Sequence, residues 1–156
     1  MERIGLRNWV QPNSPLAAVV LAAGLGKRMV SQQPKVLHRL AGLSLAAHAL
    51  RALSPLNPSH TVVVVGHGAE QVRSTLGSNF GPDNSLSITY AEQPEQLGTG
   101  HAVLMAEPAL RGYKGPVLVM YGDSPLLRTD TLSALLSKHK QANANLTMLT
   151  CIAEDP

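Results

Sequence analysis

Lys27, Arg28 and Lys35 are three cations gathered around one short glycine-bearing stretch, LAAGLGKRM (21–29), which is followed at once by SQQPKVLH. An apolar run over 16–23 leads straight into it. Glycines at 24 and 26 let a backbone approach a ligand closely and turn its N–H groups toward anionic oxygens. The cationic side chains add countercharge for phosphates. A loop of this kind at the end of a buried strand is a phosphate grip. Glycines after a strand can also do nothing but turn the chain. The spacing of Arg28 and of Lys35, held behind Pro34, has no turn-making purpose.

The common phosphate loops do not fit letter by letter. A Walker A loop ends in GK[ST], and here Lys27 is followed by Arg28. A dinucleotide fingerprint needs a small residue where this chain has Met29. Two further places could carry chemistry. Asp123 lies just beyond the apolar run PVLVMYG (116–122). A carboxylate at a strand's carboxyl end can hold Mg²⁺ between itself and substrate phosphates, or it can cap the turn at Ser124-Pro125. QLGTG (96–100) is a tight loop opening a helix. It can read the edge of a planar base through main-chain hydrogen bonds, or it can be a plain helix N-cap. Both alternatives stay open on local chemistry.

Three ordered blocks together resemble a known family. LAAGLGKRM with PKVLHRLAG (34–42), EQPEQLGTGHAV (92–103) and VLVMYGDSPLL (117–127) are similar to the signature of sugar-phosphate nucleotidyltransferases. The match is closest to the uridylyltransferase domains of bifunctional enzymes that make UDP-N-acetylglucosamine, and it covers about 16–156. The resemblance implies UTP and a hexosamine 1-phosphate as substrates and Mg²⁺ as cofactor. It implies that Leu21, Ala22, Ala23 and Gly24 contact the nucleotide through the backbone. Arg28 would steady the departing pyrophosphate and Lys35 the phosphates around the attacked centre, as the two catalytic cations. Gln93, Gly98 and Thr99 would hold uracil. Tyr121 and Gly122 would line the nucleotide-sugar pocket, and Asp123 would bind the metal. Pro94 stands where the family carries alanine, which stiffens the approach without removing a reading group. CIAEDP (151–156) resembles the strand end after which the family continues into sugar-binding residues and a second metal ligand. The expectation is therefore the front portion of such a domain at 16–156, behind an N-terminal extension at 1–15. The competing readings are a nucleotide-binding or partner-binding module of the same fold without turnover, meeting a partner chain or a second copy, and a related nucleotidyltransferase acting on another sugar phosphate or nucleotide.

Composition agrees with an enzyme of small anionic substrates. The 156 residues suffice for one domain with a sizeable core. A hydrophobic content of 44% with 15% charged residues argues against disorder. The net charge of +3 is mild, and 3% aromatics leave no interleaving of basic and aromatic residues for nucleic acid. The single cysteine, Cys151, excludes an internal disulfide and fits a reducing, cytoplasmic setting. Arg3 and Arg7 before the apolar run 16–25 imitate a signal peptide, but the run is too short to span a bilayer and feeds the phosphate loop directly. No membrane partner is expected. The six histidines have no HxH, HExxH or cysteine-paired spacing, so zinc chemistry has no support. His67 reads as a turn residue and His101 as an exposed residue of a first helical turn. Ser124 lacks the GxSxG context of a hydrolase.

The elements that must position these residues alternate. SLAAHALRALS (44–54) has helical apolar spacing and an N-cap serine. HTVVVVG (60–66) is a β-branched run of the kind covered on both faces. The spacing predicts helices over 68–77, 98–106 and 130–141, the last one capped, and strands near 86–91 and 146–152. PVLVMY (116–121) reads as another buried strand. The pattern is doubly wound, Rossmann-like α/β with a mostly parallel sheet, whose ligands sit at the carboxyl ends of the strands.

Overall fold

A computed structural model describes residues 15–24, 26 and 29–152. Its centre is a five-stranded sheet in the order β5-β6-β4-β1-β7. β1 (Ala17–Leu21), β4 (His60–Val65), β6 (Leu86–Glu92) and β7 (Val117–Tyr121) run parallel, and the two-residue β5 (Asn79–Phe80) pairs antiparallel to β6. β1 and β4 are central and, apart from the exposed His60, buried on both faces, which explains the unbroken apolar runs AAVVL in β1 and VVVV in β4. A small hairpin of β2 (Arg39–Leu40) and β3 (Leu43–Ser44) stands apart from the sheet.

Successive residues of β1 and β4 feed two different cores. Ala18, Val20, Val63 and Val65 pack with α1 (Leu45–Leu53), α2 (Ala69–Leu76) and α4 (Thr129–Gln141). Val19, Leu21, Val62 and Val64 pack on the other face against Ala102 and Ala106, at α3 (Thr99–Met105). This is the three-layer, doubly wound arrangement. Local signals bound α1 and α2. Ser44 accepts a hydrogen bond from the Ala47 N–H and starts α1, while Gly77 closes α2 with a positive φ of 70°. No helix among the described residues is long and apolar enough to cross a membrane.

Four expectations need correction. β7 is not a buried strand: Val117, Val119 and Tyr121 are 44%, 43% and 55% exposed. Among the described residues β7 pairs only with β1, and α3 covers β1 and β4 rather than β7. The run 146–152 forms no strand, and Leu146, Met148, Leu149 and Ile152 are exposed. High β propensity makes a strand only where a neighbour completes the ladder. A groove of about 590 Å³ separates β7 from this run. α4 has no side-chain N-cap: its N-cap position falls on Arg128, one residue before Thr129, whose hydroxyl donates to the Ala52 carbonyl at 2.8 Å, and Asp130, inside the helix, pairs with Arg128 at 3.1 Å. His101 is half-buried rather than exposed, for a reason given below.

Candidate active site

The carboxyl ends of the four parallel strands lie side by side. Leu21 is in register with Val64 and with Tyr121, and Val65 with Glu92. Ladder bonds continue one step past the strands, from the Ala22 N–H to the Val64 carbonyl (2.8 Å), Gln93 to Val65 (2.7 Å) and Gly122 to Leu21 (2.8 Å). Ala22, Ala23 and Gly24 after β1, Gln93 after β6, and Gly122 and Asp123 after β7 are therefore set along one edge of the sheet. Tyr121 ends β7 on its open face, and Gly122 is buried so tightly that a Cβ there would lie 3.0 Å from the Leu21 carbonyl.

Lys35 opens a short 3₁₀ turn (Lys35–Leu37) behind Pro34, which is buried. Its Nζ lies 2.6 Å from Oδ2 of Asp123, with the two side chains 34% and 30% exposed. The cation after the glycine loop and the carboxylate after β7 thus form one charged centre. Asp123 spends this oxygen on Lys35 rather than on a cap of the Ser124-Pro125 turn, which is closed by the Leu127 N–H donating to the Ser124 carbonyl. Gly26 folds the loop against the same lysine. Its φ is +58°, and a Cβ on it would meet the Lys35 Cβ at 2.8 Å. The other two expected cations, Lys27 and Arg28, lie outside the described residues.

The segment between β6 and α3 is tied down by its own side chains. Gly98 is the N-cap of α3 with φ 98° and ψ −179°, a conformation essentially reserved for glycine, and no side chain caps this helix. Thr99 is its first residue and is exposed. Gln93 is only 3% exposed, and its Nε2 donates to the Gly98 carbonyl at 3.0 Å. The same nitrogen lies 3.1 Å from Nδ1 of His101, which draws that ring into the protein. Gln96 Nε2 donates to the Ala23 carbonyl at 2.9 Å, joining this segment to the end of β1. Gln96 and His101 were not among the residues the sequence singled out for the site. Both stand in the EQPEQLGTGHAV block, yet a loop glutamine gives no local sign of a partner 73 residues away.

The donor set suits a hard cation brought with a phosphate ligand. No three His, Cys, Asp or Glu side chains converge among the described residues. Asp123 keeps one carboxylate oxygen without a hydrogen-bond partner among them. Mg²⁺ commonly binds through one or two carboxylates plus substrate phosphates and waters, so Asp123 fits that use and a closed protein cage does not. An open hollow of about 1100 Å³ beside α1, lined by His48, Arg51, Phe80 and Arg128 among others, contains none of Lys35, Gln93 and Asp123. The chemistry-bearing residues converge at the strand ends instead, where parallel α/β sheets bind their ligands.

The chain is similar in sequence and in fold to known proteins. The bifunctional protein GlmU of Anaeromyxobacter sp. (strain K) is 49% identical over 143 residues, which make up 92% of this chain and 29% of that protein. The chain thus spans less than a third of the length of that relative. The UDP-glucose pyrophosphorylase of Acinetobacter baumanii has the same fold, with a TM-score of 0.71 at 20% identity over 83% of this chain and 54% of its own. So does Rv0371C of Mycobacterium tuberculosis, solved in complex with manganese, with a TM-score of 0.62 at 17% identity over 82% of this chain and 61% of its own. Residues 18–154 match the MobA-like NTP transferase domain, and with this sheet order and this strand-end site the chain belongs to that family of nucleotidyltransferase fold.

Proposed function

We propose that this chain forms the nucleotide half of a uridylyltransferase that joins UTP to N-acetyl-α-D-glucosamine 1-phosphate, giving UDP-N-acetylglucosamine and pyrophosphate. The observation that carries the reading is the convergence of the Lys35–Asp123 pair and the Gln93–Gly98 segment on one sheet edge. The 49% identity to a bifunctional GlmU supports the choice of substrates.

The sugar phosphate oxygen would attack the α-phosphorus of UTP in line. A new P–O bond forms as the bond to the β-phosphate oxygen breaks, and pyrophosphate leaves. The nucleophile is already anionic near neutral pH, so catalysis rests on positioning and on neutralising charge. Lys35 would hold the phosphate oxygens around the attacked centre, and Arg28 would do so for the departing pyrophosphate. The backbone over 21–24 would seat the nucleotide. Gln93, Gly98 and Thr99 would read the base, with Tyr121 and Gly122 lining the rest of the pocket. Asp123 would hold a divalent cation, Mg²⁺ in this reading, whose chemistry is to polarise phosphate oxygens. The manganese bound by Rv0371C supports divalent-metal use in this fold. The exposed Cys151 suits work in a reducing cytoplasm.

Calorimetric titration of the chain with UTP, CTP, ATP and GTP in the presence of Mg²⁺ tests the reading, with Asp123→Ala as control. Saturable binding that prefers UTP and is lost in the variant is the expected result. Absence of binding by a folded chain, or equal affinity for all four nucleotides, would overturn it.

A further inference from the structure

A glutamine amide is an ambiguous reader of bases. Its carbonyl oxygen accepts and its NH₂ donates, so by flipping it can face a ring N–H or a bare ring nitrogen equally well. Discrimination between uracil and cytosine by Gln93 therefore needs something that holds the amide one way round. The hydrogen-bond partners at the start of α3 hold it so.

The Gly98 carbonyl can only accept, so the end of the Gln93 amide 3.0 Å from it must be the nitrogen. That uses one of its two N–H bonds. Gln93 is 3% exposed, and its second N–H needs a partner, because a buried donor left unpaired costs on the order of 1–3 kcal/mol. The available group is His101 Nδ1 at 3.1 Å. This ring nitrogen also lies 3.1 Å from the Glu95 carbonyl. It cannot serve both, since an amide NH₂ requires an acceptor and a carbonyl requires a donor. The Glu95 carbonyl already accepts the Leu97 N–H at 2.9 Å, whereas the second Gln93 N–H has no other partner among the described residues. The balance favours Nδ1 as acceptor, with the ring proton on Nε2.

We infer that His101 is a positioning residue that locks the Gln93 amide with both N–H groups turned inward, so that Oε1 alone faces the base. The inference rests on the reading of Gln93 as a base contact. An acceptor at that position complements a base whose ring nitrogen carries hydrogen, as in uracil, and repels the bare N3 of cytosine. Loss of the imidazole leaves the amide held by Gly98 alone and freer to flip.

The test compares dissociation constants for UTP and CTP, each with Mg²⁺, in the unaltered chain and in Gln93→Ala, His101→Ala, His101→Asn and His101→Gln. Asparagine can place a polar atom where Nδ1 stands, and glutamine cannot. The CTP-to-UTP ratio should fall about tenfold in His101→Ala, the scale of one lost charge-neutral hydrogen bond at its upper end. It should be retained in His101→Asn and lost in His101→Gln, a contrast that decides the matter if the alanine variant does not fold. A structural role alone would weaken both nucleotides together and leave the ratio unchanged. A ratio lost in Gln93→Ala but kept in His101→Ala and His101→Gln overturns this inference and leaves the base-reading role of Gln93 intact. A ratio unmoved in Gln93→Ala as well overturns both.

Discussion

Lys35 Nζ and Asp123 Oδ2 are 2.6 Å apart although 88 positions separate the two residues in the chain. The pair joins the loop after β1 to the end of β7, which are neighbours because those strands are hydrogen-bonded in parallel. Each partner has a better-matched ligand in the proposed chemistry, phosphate for the lysine and a divalent cation for the carboxylate. The two neutralise one another across the 2.6 Å contact.

If Lys35 and Asp123 have these ligands, exchange of partners would make metal and nucleotide binding cooperative. Lys35→Met should weaken UTP binding more than tenfold and at the same time strengthen binding of Mg²⁺ alone, because the carboxylate loses its internal competitor. The pair is about one-third exposed, so its removal should cost at most about 1 kcal/mol of stability. Titration of Mg²⁺ into the nucleotide-free variant checks this, and weaker Mg²⁺ binding there would contradict the exchange.

Gln96 Nε2 donates to the Ala23 carbonyl at 2.9 Å and so ties the segment between β6 and α3 to the end of β1. Gln96→Ala should raise the UTP dissociation constant about fivefold, equivalent to about 1 kcal/mol. The thermal unfolding midpoint should hardly move, since Gln96 is exposed. An unchanged dissociation constant would remove Gln96 from the site.

Gly98 and Gly100 stand two residues apart and answer to different constraints. Neither would bring a Cβ within 4 Å of a neighbour, but only Gly98 has a positive φ, at +98°. Gly98→Ala should cost about 1–3 kcal/mol in urea unfolding through backbone strain and should disturb the carbonyl that anchors Gln93. Gly100→Ala, inside α3, should instead hold or raise stability by up to about 1 kcal/mol. Equal effects would show that strain at Gly98 is not the cause.

Burial raises the hydroxyl pKa of Tyr90, against a smaller opposing effect of Arg73, and burial likewise raises that of Tyr113. A folded pKa above the unfolded one means that the contribution is fully present below the unfolded value near 10.0 and is lost as pH rises through the folded value. Unfolding midpoints should therefore fall above about pH 10. The fall should be shallower in Tyr90→Phe, and an identical slope in that variant would assign it to other groups.

Sequence by itself determined the parts of this protein that depend on neighbours a few residues away. The Ser44 cap of α1, the valine run of β4 and the glycine that closes α2 act within one turn or one strand, so spacing and residue type suffice to find them. Lys35 and Asp123 stand out as candidates in the same way, from a charged residue type beside a glycine loop or a strand end, whereas Gln93 is a candidate only through the family resemblance. Tertiary structure alone decided which of them meet and which segments remain open. The Lys35–Asp123 pair, the Gln96 bond to Ala23 and the inward turn of His101 toward Gln93 arise from how strands and loops are brought together in space. The apolar runs 117–121 and 146–152 look alike in composition, but one is an edge strand and the other no strand at all. Composition records a preference for extended backbone, and only a hydrogen-bonding neighbour turns that preference into a sheet.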